Sequence, residues 1–363
     1  MDFEEYIRQG EPDKKEKSLI WQTAIGLQLV DGLKPSAYLI ETAKQNIEGD
    51  ITIDEVQNRI DSYYKTKTVR TDDDDRTEEA DKVSSRIVKI LSNDTFSFSP
   101  IEFIAIHRQL FTGIYKFAGK IRDYNISKAE WALNGKSVLY ANAPEIRATL
   151  DYDFEQEKKF DYKSVGFQQS IQHLVKFISG VWQIHAFGEG NTRTIAIFTI
   201  KYLRKLGFTN INNDLFAQHS WYFRNALVRA NYNDWTNNIH ATDEYLMMFF
   251  GNLLLGEKNE LKNRYLRVDW KNATDFQSAK TVEKEISKGN ICTLNCTLEE
   301  HFILNFLCDN PKATQKEIAL HIQKSERTVK TITSNLQSKN LLKRVNGKRD
   351  GFWKVIETGG NEK

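Results

Sequence analysis

Residues 171–207, IQHLVKFISGVWQIHAFGEGNTRTIAIFTIKYLRKLG, hold two apolar helical patterns separated by a polar, glycine-bearing turn. Ile171, Leu174, Val175, Ile178 and Trp182 recur at i, i+3, i+4, i+7 and i+11, the stripe of a helix with one buried face, and His185 falls just beyond it. After the turn, Ile195 to Leu206 is apolar nearly all round and closes with Lys201, Arg204, Lys205 and Gly207. Cations and a glycine are what a helix C-terminus favours. The turn therefore joins two core helices and stands at the positive N-terminus of the second, a place suited to anions.

The run His185-Ala186-Phe187-Gly188-Glu189-Gly190-Asn191-Thr192-Arg193 packs a base, an acid, an anion-binding turn and a cation together. His185 can accept a proton near neutral pH, Glu189 can hold a hard cation, and Gly190-Asn191 can bring backbone N–H groups to a phosphate. Arg193 adds a forked positive charge. This is the inventory of a phosphoryl-handling site.

The run resembles the signature of the Fic family, H-x-F-x-[DE]-G-N-G-R-x-x-R, whose members transfer AMP or related phosphate-containing groups from a nucleotide to a protein hydroxyl. The resemblance implies ATP and Mg²⁺ as cofactors. It implies His185 as the catalytic base, taking a proton from a target Ser, Thr or Tyr hydroxyl as it attacks the α-phosphorus. Glu189 is implied as the metal ligand, and Phe187 as the structural anchor that holds His185 in place. Gly188, Gly190, Asn191, Thr192 and Arg193 are implied as nucleotide-binding, with Arg193 neutralising the departing pyrophosphate.

This chain departs from the signature at two telling places. Thr192 stands where the family has glycine, and Ala196 where it has a second arginine. Losing a charged hydrogen bond costs on the order of 1.5 to 3 kcal/mol, enough to weaken a triphosphate without abolishing binding elsewhere, so another nucleotide donor or a diphosphate stays open. Ala186 replaces a frequent proline. Upstream, Lys44-Gln45-Asn46-Ile47-Glu48-Gly49 resembles the inhibitory motif [ST]-x-x-x-E-[GN] that many Fic proteins carry. The likeness implies Glu48 as an inhibitory residue, although Lys44 departs from the pattern and Ala196 offers no arginine for it to pair with. The alternative for Glu48 is a helix-end acid beside a terminating glycine.

The chain before the signature reads as helices. Pro35-Ser36 precedes a helix over 37–46; Thr52 with Glu55 is a capping-box pattern; Val56, Ile60 and Tyr63 keep helical spacing. Asp72 to Asp75 reads as a solvated loop or helix start, and 87–91 and 101–110 as further helices, the latter behind Ser99-Pro100. Between Ile126 and Ala141, β-formers flank Asn134-Gly135, which predicts a small β-hairpin. In Fic proteins a hairpin placed here covers the active site and aligns the target segment as an added strand. Helical segments are expected again over 223–230 and 243–266.

From Asp269 to Asn295 the sequence turns polar and loses its period, marking a linker. Helices over 298–307, 315–322 and, capped by Ser325, through Leu336 precede two β-forming stretches around Asn346-Gly347. This order resembles a winged helix-turn-helix, which implies duplex DNA as a partner. Between 324 and 354, nine lysines and arginines face only Glu326 and Asp350. Arg327 and Lys330 on the third helix and Lys348 and Arg349 on the wing are the expected DNA-binding residues.

The fold class that follows is mainly α: a Fic-type helical core with a small β-hairpin flap, plus a C-terminal winged helix. The expected organisation is an N-terminal helical region carrying the inhibitory-type motif (1–90), a catalytic core with trailing helices (91–266), a linker (267–296), the winged helix (297–357) and a tail (358–363). With 363 residues, 40% of them hydrophobic, there is ample material for such cores. The 51 basic residues nearly balance 49 acidic ones, so any attraction to nucleic acid is local. The absence of a signal-type or bilayer-length apolar run points to the cytoplasm and away from membranes. Cys292, Cys296 and Cys308 read as ordinary thiols.

The leading expectation is a protein adenylyltransferase, a nucleotidyltransferase that moves AMP from ATP to a hydroxyl of a target protein or of itself, under autoinhibition. Two alternatives stand beside it: a DNA-binding regulator with a nucleotide-binding, weakly active site, and a Fic transferase using another nucleotide donor.

Overall fold

The computed structural model describes residues 3–67, 71–162, 164–208, 214–270, 298–322, 324–346 and 351–356. Most of the expected linker, the tail, Lys348 and Arg349, and the cysteines at 292 and 296 lie outside those residues.

The first helices are α1 (Glu4–Gln9) and α2 (Pro12–Gly26), and α2 runs into a 3-10 turn, Leu27–Asp31. Then come α3 (Ala37–Glu48), α4 (Ile53–Thr66) and α5 (Asp72–Leu91). Their starts follow from the capping chemistry in the sequence. Ser36 accepts from the Leu39 amide, while Thr52 with Glu55 and Thr71 with Asp74 close capping boxes, so the Asp72–Asp75 run is a helix start.

Helix α6 (Pro100–Phe111) is capped by Ser99, and α7 (Ile146–Lys159) leads to the central pair, α8 (Phe167–Ile184) and α9 (Asn191–Lys205). Helix α9 is buried along almost its whole length, as its all-round apolar sequence requires. It packs against α6, α8 and α5, and the rings of Phe103, Phe154 and Phe198 meet at centroid separations of 5.4 to 6.4 Å in the core behind it.

Helices α10 (Asp214–Gln218), α11 (Ser220–Ala230) and α12 (Glu244–Phe250) complete this unit. The helix expected over 243–266 is interrupted. After Phe250 the chain forms a π turn at Gly251–Leu255, and Gly256 then takes a left-handed backbone conformation that stops it. A single hydrophobic core runs through all these elements, from Phe3 to Leu266.

The expected β-hairpin over 126–141 does not form. Asn134 and Gly135 do turn the chain with positive φ, but Trp131–Leu133 is a 3-10 turn and no strand ladder flanks it. The reason lies in side chains that claim the segment: Glu130 is buried against Arg224 and Tyr140, and the Lys128 amide donates to Ser137 Oγ rather than to a facing strand. The flap is a closed loop.

The C-terminal unit has its own core, formed by α13 (Leu298–Asp309), α14 (Gln315–Ile322), α15 (Glu326–Ser338) and the antiparallel pair β1 (Leu342–Val345) and β2 (Phe352–Val355). Leu342 faces Val355 and Val345 faces Phe352, the register of the expected wing. This is the only sheet among the described residues, and the fold is mainly α. No helix among them is long and apolar enough to cross a membrane.

Candidate functional site

The loop between α8 and α9 is closed by Asn191, which begins α9. Its Nδ2 donates to the Phe187 carbonyl (2.7 Å) and its Oδ1 accepts from the Phe187 amide (3.0 Å), so the side chain holds the loop rather than facing outward. Phe187 is fully buried and stacks on His107, 3.7 Å between centroids. A side chain at Gly188 would put a Cβ 2.7 Å from the Tyr124 hydroxyl, and one at Gly190, already at φ +79°, would strike the Phe111 ring at 2.4 Å. Gly190 therefore requires glycine, whereas at Gly188 the exposed Tyr124 side chain would have to move aside.

Thr192, the departure from the signature, has a task of its own: its hydroxyl accepts the Trp182 indole N–H at 3.0 Å. The hydroxyl ties α9 to α8 across the loop. Ala196, one turn on, is completely buried in α9.

His185 ends α8 in a left-handed conformation (φ 51°, ψ 57°), its amide donating to the Trp182 carbonyl. The ring lies 4.2 Å from that of Tyr140 and 5.4 Å from that of Trp182, and the residue is only 4% exposed. Neither ring nitrogen has a hydrogen-bond partner. Burial first, and then the positive charge of Lys128, hold its pKa well below the usual histidine range, so the imidazole is neutral with a free lone pair. A buried, unpartnered polar group is costly unless something it serves arrives to meet it.

Glu189 is half exposed, its carboxylate 2.8 Å from Lys128 Nζ on the flap. An ammonium therefore sits where a cation would bind. Among the described residues no cluster of three histidine, cysteine or acidic side chains forms a ready-made metal cage. Mg²⁺ does not need one, because it takes one or two carboxylates and completes its shell with phosphate oxygens and water.

Arg193 is 1% exposed and lies in a cage. Asp31 Oδ2 is 2.8 Å from its Nε, Glu79 Oε1 2.6 Å from Nη2, and Gln28 Oε1 accepts from Nη1 at 3.1 Å; the Phe111 ring backs the guanidinium at 4.8 Å. Tyr115 also accepts from Nη2 (3.2 Å) and donates to Glu79 (2.6 Å). Burial works against the charge, but Asp31 and Glu79 outweigh it and keep the guanidinium protonated.

Arg193, Glu189, Asp31, Glu79 and Tyr115 line a cleft of about 650 Å³, whose other walls are Leu29 to Leu33, Arg76, Trp221 and Arg224. That is the size of a small-ligand site. The turn at Leu27–Asp31 is fixed by three arginines: Arg193 through Asp31 and Gln28, Arg224 through the Val30 carbonyl, and Arg76 through the carbonyls of Asp31 and Gly32.

The structure thus brings together His185, Phe187, Gly188, Glu189, Gly190, Asn191, Thr192 and Arg193, as loop continuity requires. It does not bring Glu48 to them. Glu48 ends α3 before Gly49 and pairs with Lys14 at 2.6 Å, and it also accepts a hydrogen bond that pushes the Tyr6 phenol up to about 12. The carboxylates on the signature arginine belong to Asp31 and Glu79.

Sequence reasoning missed these two and three others. His107 bridges the loop to the chain beyond α6: the Gly119 amide donates to its Nδ1 (2.9 Å), which leaves Nε2–H to donate to the Glu189 carbonyl (3.0 Å). Burial lowers its pKa to about 4. Arg122, buried, donates to the carbonyls of Ile184 and His185 on one side and of Tyr124 and Ala141 on the other, fastening both ends of the flap to the end of α8. Lys128 is the third.

In the C-terminal unit Arg327 and Lys330 are exposed on α15, whose start Ser325 caps. Lys339 is already paired with Glu300 (2.7 Å), and Arg344 covers the Trp353 ring at 4.7 Å. Lys343 and Lys354, facing each other across the strand pair, are also exposed.

Residues 97–203 match the Fic/DOC family, and residues 303–343 match the winged helix-turn-helix DNA-binding family. No curated protein matches the chain. The chain carries a Fic/DOC domain, of a family whose members are in general transferases, followed by a winged helix.

Proposed function

We propose that the Fic/DOC domain of this chain transfers AMP from ATP to a hydroxyl side chain of a target protein or of the chain itself. The observation that carries the reading is His185: a neutral imidazole with both nitrogens buried and unpartnered, at the head of a loop that ends on the N-terminus of α9. Such a group is poised to take one proton from an incoming hydroxyl. The hydroxyl oxygen bonds to the α-phosphorus, the bond from that phosphorus to the bridging oxygen of pyrophosphate breaks, and the proton passes to His185.

The first amides of α9 and the helix dipole favour the phosphate there. Glu189 is the carboxylate that would hold Mg²⁺, with Lys128 released from it. When bound, the ion would draw charge from the phosphate oxygens. Arg193 balances charge on the leaving side, and its two carboxylate partners temper that role, which supports an enzyme of restrained rate. Burial around Tyr140 and Trp182 keeps water from His185.

The test is transfer of label from α-labelled ATP with Mg²⁺ by the full chain. Wild type labels itself or a protein in a lysate and His185→Ala does not. Equal labelling by that variant removes His185 as the base, and labelling only from a different nucleotide moves the reading to another donor.

A second reading, a DNA-binding regulator whose Fic site senses nucleotide, draws on the winged helix and on the exposed Arg327 and Lys330. Specific duplex binding that changes with bound nucleotide, in a chain that labels nothing, would favour it.

A further inference from the structure

The cleft is lined by three guanidinium groups, and they are not equivalent. Arg193 faces Asp31 and Glu79. Arg224 faces Glu130 at 3.0 Å and covers the Trp221 ring. Lys128, beside the cleft, faces Glu189. Arg76 alone differs: its Nη2 donates to the carbonyls of Asp31 (3.1 Å) and Gly32 (3.4 Å), and among the described residues it has no carboxylate partner. It is exposed and lies on the cleft wall.

Geometry adds to the charge count. Arg76 is three residues before Glu79 on α5, so both point from one face of the helix toward the cleft, with Arg76 nearer the rim. The two carbonyls hold one nitrogen of the guanidinium. The N–H groups of Nη1 and Nε are left, each able to donate to a phosphate oxygen. A nucleotide with its α-phosphate near the start of α9 brings several more negative charges into a cleft whose other cations are already paired. We propose that Arg76 binds the terminal phosphates of the donor and so sets the preference for a nucleoside triphosphate over a monophosphate.

This assignment rests on the transferase reading, and the experiment separates the two. Equilibrium affinities for ATP, ADP and AMP with Mg²⁺ are measured calorimetrically on the full chain carrying His185→Ala, so that bound ATP is not consumed, with and without Arg76→Ala. Arg76→Ala is expected to weaken ATP roughly tenfold, the worth of one charge-assisted contact at an accessible site, to weaken ADP less and to leave AMP unchanged. Arg76→Lys, which restores the charge without the spread of guanidinium donors, recovers part of the loss, and the effect shrinks as salt is raised. Equal losses for all three nucleotides, or no loss, overturn the assignment while leaving the transferase reading intact. A parent chain that binds none of them overturns both.

Discussion

Lys128 Nζ and Glu189 Oε2 are 2.8 Å apart, joining the flap to the signature loop by one ion pair. The ammonium repels a divalent ion that approaches the same carboxylate, so the pair would set cation binding in competition with Lys128. Lys128→Met is expected to lower the Mg²⁺ concentration for half-maximal labelling several-fold. The measurement is a Mg²⁺ titration of labelling at fixed ATP, and an unchanged midpoint would show that the ammonium moves aside at no cost.

In the proposed reaction Asp31 and Glu79, which pair with Arg193, would compete with phosphate for it. Removing one of the two carboxylate charges leaves the buried guanidinium with more attraction for an anion. Glu79→Gln keeps a side chain that can accept from Nη2 and should raise labelling severalfold. Glu48→Gly should change it little, because Glu48 is occupied by Lys14 and Tyr6. The reverse pattern, a gain with Glu48→Gly alone, would restore Glu48 as the restraining residue.

His107 gives the fold a definite acid dependence. Its pKa falls from the ordinary 6.5 to about 4 in the folded chain through burial. Above about 6.5 it is neutral in both states and its contribution is fully present. As pH falls from there toward 4 the unfolded chain gains a proton that the folded chain refuses, and stability drops by roughly 3 kcal/mol over the window. Urea denaturation at pH 7 and pH 4.5 should show His107→Gln losing less stability than wild type between the two.

The winged helix should bind duplex DNA through Arg327 and Lys330. Each phosphate neutralised contributes about 0.9 logarithmic units of affinity per tenfold change in salt. Replacing both residues by alanine in the full chain should flatten the salt slope by roughly 2 such contacts in gel-shift titrations. A slope that the double substitution leaves unchanged would place the interface elsewhere.

What the sequence revealed was local. Capping pairs such as Thr52 with Glu55, and the periodic stripe from Ile171 to Trp182, need only neighbours three or four residues away, and these elements formed as read. The signature loop is also contiguous, so its members were legible as a group. The cage around Arg193 was not: Gln28 and Glu79 lie 165 and 114 residues away, and a charged residue on a helix carries no trace of a distant partner. The flap misled for a related reason. Asn134-Gly135 turns the chain as expected, but Glu130 is drawn inward by Arg224, and that pull decides the backbone on either side. Lys348 and Arg349 lie outside the described residues.

The continuity of one core from Phe3 to Leu266 bears on how the protein can be engineered. Cutting at residue 90 to release a free catalytic fragment would remove Leu27 and Val30 together with the turn that three arginines grip, and leave the inner faces of α6 and α9 open to water. The product should be an aggregate, not a hyperactive enzyme. The opening segment is better regarded as a load-sharing wall of the reaction chamber, and control of the chemistry has to be sought in single side chains along it.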